Sequence, residues 1–193
     1  EMDHYQVKVV PDILVNYNDL NPLNDYKVNG DEQRRNANKI MVNKMKSILI
    51  AVPTAKYVET ATMKSIYDLE ILSGCRTELQ FFHGYCIDEI RNLQAEWGKN
   101  YDYIFCVDSD IVLPRDALSK MIFHQKDIVT GIYMQKTLED NVEIYNKEYM
   151  RISYESLMNS DTFLEIGACG FGCVLIDSKV LRTMEYPHFV YKS

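Results

Sequence analysis

Asp108-Ser109-Asp110 is the triplet in this chain best suited to chemistry. It directly follows an apolar run, Tyr103-Ile104-Phe105-Cys106-Val107. Such a run reads as a buried strand, and open α/β sheets bind ligands at the carboxyl ends of their strands. On an extended backbone, carboxylates two residues apart share one side, roughly 6–7 Å apart at Cα. Like charges so placed repel unless a cation or a shared proton relieves them. A hard divalent ion with oxygen ligands would do so, and it would also bridge diphosphate oxygens. The bland alternative is an Asp pair that caps a turn ahead of Pro114.

Arg91 comes four residues after Ile87, which sets it at the border of an apolar helical stripe. An arginine there needs an anionic partner. That partner is either a bound anion or a structural ion pair with Asp88 or Asp108. Asn92 caps or bridges backbone. Gly167-Ala168-Cys169-Gly170-Phe171-Gly172 lets backbone approach a ligand closely, or else simply connects two strands. It is not a dinucleotide fingerprint, because no helix opens from it and the spacing differs.

These residues belong to a chain of 193, with 47% hydrophobic and 25% charged residues. That composition excludes a fully disordered protein, and the length indicates one main domain. The net charge of −7 argues against a broad nucleic-acid surface, which needs clustered Lys and Arg. No apolar run approaches the ~20 residues of a membrane span, and Glu1-Met2-Asp3-His4 lacks a secretory leader's apolar stretch. Five cysteines, with no Cys-x-x-Cys, indicate neither a disulfide framework nor a zinc site. A reducing, cytoplasmic setting is expected.

The elements that must position the chemistry begin at Lys46. Residues 1–45 hold eight of the thirteen Asn. They read as an N-terminal arm or accessory hairpin, with short strands at Val7–Val10 and Ile13–Val15, or as a partly disordered leader. Ser47–Val52 is a continuous apolar run suited to a strand buried on both faces. A helix follows through Val58, Thr62, Ile66 and Leu69, ending at Ser73-Gly74. Thr77–Phe82 is the next strand. A helix over 87–97 then turns Ile87, Ile90, Leu93 and Trp97 inward. After the Asp108 triplet, Pro114 opens a helix with Leu118, Met121 and Ile122 buried. Asp127–Tyr133 is a further strand. Residues 136–161 are polar and acidic, and read as an insertion or flap. Two strands, 163–166 and 172–176, flank the glycine turn. Alternating strands and helices predict an α/β fold around a mostly parallel sheet.

In this order, Val52-Pro53-Thr54, Ile90-Arg91-Asn92, Tyr103–Asp110, Asp127–Gly131 and the Gly167–Gly172 turn resemble the GT-A nucleotide-sugar glycosyltransferases. The likeness is to the broad inverting family with chondroitin- and cellulose-type synthases and bacterial and phage enzymes, and it covers about residues 46–190. It implies a GT-A (Rossmann-like) fold and transfer of a sugar from a nucleotide-diphosphate sugar to a glycan, protein or other acceptor. The setting would be the cytoplasm, of a bacterial or phage-infected cell. By the resemblance, Pro53 and Thr54 line the nucleobase pocket. Asp108 faces the nucleoside through ribose or metal, and Asp110 holds Mn²⁺ or Mg²⁺ on the diphosphate. Arg91 and Asn92 lie near the donor, and Gly170 and Gly172 lie beneath the sugar. His188 is either a late metal ligand or structural.

The resembled enzymes carry an acidic pair after a Pro-x-Phe-like segment, and one of its carboxylates is the catalytic base. Here Pro187-His188-Phe189 appears and no acid follows. Asp177, which caps a helix, and Glu185, in that helix's last turn, are what remains. The base is therefore expected outside this chain, in a C-terminal part of the domain that the chain lacks. Two other readings stand beside this one. Val107–Val112 fits the Asp-x-Asp-x-Val loop of haloacid-dehalogenase-like phosphatases, with Asp108 as nucleophile and Asp110 as general acid. A non-catalytic GT-A-like module in an assembly, or an oligomer of it, is the other.

Overall fold

The structure is a computed structural model that describes residues 7–15, 45–134, 142–159 and 164–190. In chain order the elements are β1 (Val7–Val15), β2 (Lys46–Thr54), α1 (Thr60–Tyr67), β3 (Cys75–His83), α2 (Ile87–Gly98), β4 (Tyr103–Val107), α3 (Ala117–Phe123) and β5 (Ile128–Tyr133). Then come β6 (Ile144–Tyr145), α4 (Tyr154–Met158), β7 (Leu164–Ile166), β8 (Ala168–Cys169), β9 (Cys173–Asp177) and α5 (Ser178–Thr183).

Seven strands form one sheet in the order β3-β2-β4-β9-β5-β1-β7, and β6 pairs with β8 separately. β2 runs parallel to β3 and β4, and β1 runs parallel to β5. β9 is antiparallel to both β4 and β5, and β7 is antiparallel to β1. The sheet is thus mixed, where the alternation of strands and helices predicted a mostly parallel one. The reason is local. The chain has already reversed between β5 and β7, so that β7 and then β9 run opposite to β1 and β5, and only a helical crossover would have kept them parallel.

β2 explains why its unbroken apolar run is needed. Ile48, Ile50 and Val52 pack on one face with Ile66 of α1 and Leu118 and Met121 of α3. Leu49 and Ala51 pack on the other with Ile90 and Ala95 of α2 and Leu181 of α5. All five β2 residues are at most 4% exposed. Each large side chain buried this way contributes about 1.5–3 kcal/mol.

Several elements differ from expectation. β1 is one strand inside the main sheet, with a register irregularity between Val10 and Leu14. The expected hairpin over 16–43 lies outside the described residues. Gly74 (φ 85°) serves the turn into β3, whereas α1 ends seven residues earlier at Tyr67. Pro114 precedes α3, whose N-cap is Asp116. α2 buries Ile90, Arg91, Asn92, Gln94, Ala95 and Gly98. Ile87, Leu93 and Trp97 stay 42–50% exposed. The inward face is therefore rotated by one residue from the apolar stripe.

The expected flap over 136–161 is anchored in its described part. Val142, Ile144 and Leu157 are at most 2% exposed and share a third core cluster with Ile132 and Ile166. The ends of that expected flap, 136–141 and 160–161, lie outside the described residues.

Candidate functional site

Along the strand order, β2 leads through α1 outward to β3, and β4 leads through α3 in the opposite direction toward β5. The carboxyl ends of β2 and β4 therefore flank a topological switch point, where open sheets take their ligands. Pro53-Thr54 ends β2, paired with Phe82 and His83. Thr54 Oγ1 donates to the Tyr57 carbonyl at 3.1 Å, and the Thr54 carbonyl accepts from Gly84 N–H at 3.1 Å.

Asp108-Ser109-Asp110 begins where β4 ends. The backbone there is a turn and not an extended strand. Ile111 N–H donates back to the Asp108 carbonyl at 3.3 Å. The same-side geometry of an extended pair therefore does not apply. Two long-range bonds pin the turn. Asp108 N–H donates to the Gly172 carbonyl at 3.0 Å, and Glu59 N–H donates to the Ser109 carbonyl at 2.9 Å. Asp108 and Asp110 are both partly exposed.

Arg91 reaches the turn from below. It is 6% exposed, and its Nη2 is ion-paired with Asp108 Oδ1. Nη1 donates to Gln94 Oε1 at 2.9 Å. The Phe171 ring covers the guanidinium, with 5.0 Å from Cζ to the ring centroid. Of the two acidic neighbours available to Arg91 in the sequence, Asp108 is the one it meets.

The glycine turn sits against this pair. A Cβ on Gly170 would fall 1.9 Å from Tyr133 Oη, and one on Gly172 would fall 2.9 Å from Tyr133 Cζ and 3.3 Å from Asp108 Oδ2. Gly172 N–H donates to Tyr133 Oη at 3.0 Å. These glycines make room for the protein's own tyrosine, where a ligand was expected. Tyr133, Gln94 and Phe171 were missed from sequence. The available signals were a tyrosine closing β5 and a glutamine three residues after Arg91 on the helix.

Other expected site residues lie elsewhere. Asn92 Nδ2 donates to the Phe189 carbonyl at 2.8 Å, and Phe189 N–H donates to Asn92 Oδ1 at 3.0 Å. Asn92 thus clamps the C-terminal segment. His188 Nε2 lies 2.7 Å from Glu96 Oε1, with the His188 side chain fully covered. It serves the same clamp rather than the acidic turn. Glu96 is held below the usual carboxylate range, first by its hydrogen bond with Lys99 and then by His188. Asp177 pairs with Tyr103, at the end of β4 opposite Asp108, roughly 13–17 Å away along the strand. Its carboxylate accepts from Lys179 N–H at 2.9 Å and caps α5. Asp177 is therefore not placed to act as a base at Asp108. Glu185 is exposed past the end of α5.

Burial pushes Cys106 up to about 12 and Cys169 up to about 11, and drives Cys173 up as well. These thiols stay protonated and inert. A groove of about 620 Å³, lined by residues that include Tyr67, Asp68, Val112 and Arg115, runs between α1 and the segment after Asp110. None of the acidic-turn residues lines it.

Two carboxylates suit a hard cation such as Mg²⁺ or Mn²⁺, which is commonly held by one or two carboxylates plus substrate phosphates. Among the described residues no group of three or more His, Cys, Asp or Glu forms a closed metal cage. A cation held by these two carboxylates would have to take its other ligands from water or a bound phosphate ligand. Among the described residues no helix is long and apolar enough to cross a membrane.

No protein-family model matches the chain, and no curated protein matches it. Among solved structures, the chain is similar to A197 from STIV, at 18% identity and a TM-score of 0.54. The match covers 75% of this chain and 71% of that one. At this identity the likeness is one of fold alone.

Proposed function

We propose that the protein is a metal-dependent glycosyltransferase of GT-A fold, moving a sugar from a nucleotide-diphosphate sugar to an acceptor with inversion. The observation that carries this reading is the acidic turn, Asp108-Ser109-Asp110, at the β2/β4 switch point with Arg91 buried beneath it. The end of β2, Pro53-Thr54, borders the same crevice and suits a nucleobase. Asp108, fixed by Arg91, suits the ribose. Asp110, and Asp108 through its second oxygen, would hold Mn²⁺ or Mg²⁺, which when bound supplies positive charge to a leaving diphosphate. The acceptor's proton needs a carboxylate within hydrogen-bond reach. Asp177, at the far end of β4 and capping α5, does not provide it.

A thermal-shift panel tests the reading. UDP and GDP are each assayed alone, with Mn²⁺ and with Mg²⁺, beside each cation alone. Stabilisation is expected only when a nucleotide and a cation are both present, through linkage to the folded state. Asp110→Ala should remove that increment and leave the fold intact. Absence of any nucleotide shift overturns the transferase and leaves a non-catalytic module. An aspartyl-phosphate trapped at Asp108 overturns it in favour of a phosphatase.

A further inference from the structure

The two edges of the main sheet are built differently. β7 has three residues. β3 has nine, and it keeps an unbroken register with β2 from Cys75↔Lys46 to His83↔Thr54. β3 contains no proline and no bulge, two devices that commonly blunt an edge. Among the described residues, β2 is its one strand neighbour. Its outer side therefore presents a row of peptide N–H and C=O groups.

The side chains along this edge add a pattern. Arg76 and Glu78 are exposed and lie on one face, where the Tyr101 hydroxyl hydrogen-bonds Glu78. Cys75, Thr77 and Leu79 lie on the other face, with Cys75 and Leu79 at the margin of the first core cluster. Charges can protect an edge, but these two are opposite in sign and two residues apart. That spacing makes the edge complementary to itself.

Consider two copies paired antiparallel about a two-fold axis at Thr77. Arg76 of each then stands opposite Glu78 of the other. Thr77 stands opposite Thr77, and Cys75 opposite Leu79. Opposed residues share a face and interact, so charge meets opposite charge and apolar meets apolar. An axis at Arg76 or Glu78 sets like charges against each other. An axis at Leu79 sets Arg76 against Phe82 and Glu78 against Gln80. One register alone satisfies both charges.

We infer that β3 is a homodimerisation edge, joining two copies of this chain into one continuous sheet through antiparallel β3–β3 pairing. Such a dimer uses one self-complementary patch on each copy, as two-fold interfaces do. Apolar surface lies beside the edge. Phe81 is 38% exposed and Trp97 is 42% exposed, with Trp97 packed edge-on against Phe82 at 5.6 Å.

The test is molar mass by sedimentation velocity across a dilution series, with circular dichroism to confirm folding. The wild type is expected to be a dimer at the upper concentrations. Arg76→Glu and Glu78→Arg should each shift it to monomer. The double exchange, Arg76→Glu with Glu78→Arg, should restore the dimer. A second variant is independent of charge. Thr77→Cys places a thiol on the axis, where opposed Cβ atoms lie about 4.5–5.5 Å apart, and mild oxidation should cross-link two copies far faster than in the wild type. A wild type that stays monomeric overturns the inference. So does a dimer indifferent to either charge reversal, a double exchange that stays monomeric, or a Thr77→Cys protein that cross-links no faster than wild type.

Discussion

Gly170→Ala distinguishes a glycine that serves the fold from one that serves a ligand. The new Cβ would sit 1.9 Å from Tyr133 Oη, 2.9 Å from Glu143 Cβ and 3.0 Å from Tyr133 Cζ. Tyr133 must retreat, yet its ring is 6% exposed and its oxygen accepts from Gly172 N–H. Overpacking of this kind costs about 1–3 kcal/mol, and the weakened hydrogen bond adds about 1 kcal/mol. Tyr133→Phe alone leaves the Gly172 N–H unpaired, at a cost of about 1–3 kcal/mol. In the Tyr133→Phe background the nearest atom is gone, and Gly170→Ala meets only the tight contacts near 3 Å. The two changes should therefore cost less together than the sum of their separate costs, with a coupling of about 1–2 kcal/mol. Urea unfolding of the four proteins, followed by circular dichroism, measures this. Strict additivity refutes the steric argument. So does a Gly170→Ala protein of unchanged stability that has lost nucleotide binding, since its glycine would then serve a ligand.

Arg91→Met should destabilise the protein by about 2–4 kcal/mol, the cost of breaking a buried pair reduced because Asp108 is one-third exposed. Arg91→Lys should recover less than half, since an ammonium cannot serve Gln94 and Asp108 as a planar fork; thermal melts check both. Glu96 has a lowered folded pKa, so its contribution is present above its unfolded value and lost as pH falls through the folded one. Amide exchange at Phe189, whose N–H is held by Asn92, should accelerate on that acid limb in the wild type and much less in Glu96→Gln. Within the segment that follows β5, the amides of Gly167 and Gly170, bonded to Tyr145 and Glu143 carbonyls, should exchange slowly even without a ligand. Fast exchange there would restore the flap that the sequence implied.

The strands nearest the site were legible because their signal is simple. A five-residue apolar run with an acidic triplet at its end gives both β4 and the turn after it. The apolar run 47–52 likewise marks a strand buried on both faces, as β2 is. The helix face was not legible, because periodicity weighs hydrophobicity alone. In α2, Arg91 and Gln94 are buried by bonding each other and Asp108. Ile87 and Leu93 stay half-exposed. The direction of β9 was hidden too, because an apolar run reads the same along either direction. The glycines were noticed, but their cause was a tyrosine more than thirty residues upstream. No local pattern carries that.

The acidic motif was legible, while its charge was not. Two aspartates in a turn read as a site of strong negative potential. The structure offsets one of them with a buried guanidinium, fixed on three sides by Gln94, Asp108 and Phe171. Asp110 lies beside it in the same turn, partly exposed. One carboxylate at a partly exposed turn attracts a divalent cation weakly, because water screens it. The oxygens of a bound diphosphate would add both charge and ligands. On the proposed function, Arg91 would act on affinity in two ways at once. It would lower the pull of the turn on a cation, and it would hold Asp108 where a nucleotide and a cation could be gripped together. Phe171, which covers Arg91, packs in turn against Phe189 at 5.1 Å, and Phe189 is held by Asn92, one residue after Arg91. The clamp on the C-terminal segment and the charge balance of the site are thus borne by adjacent residues of one helix. A change that loosens either should be felt by the other.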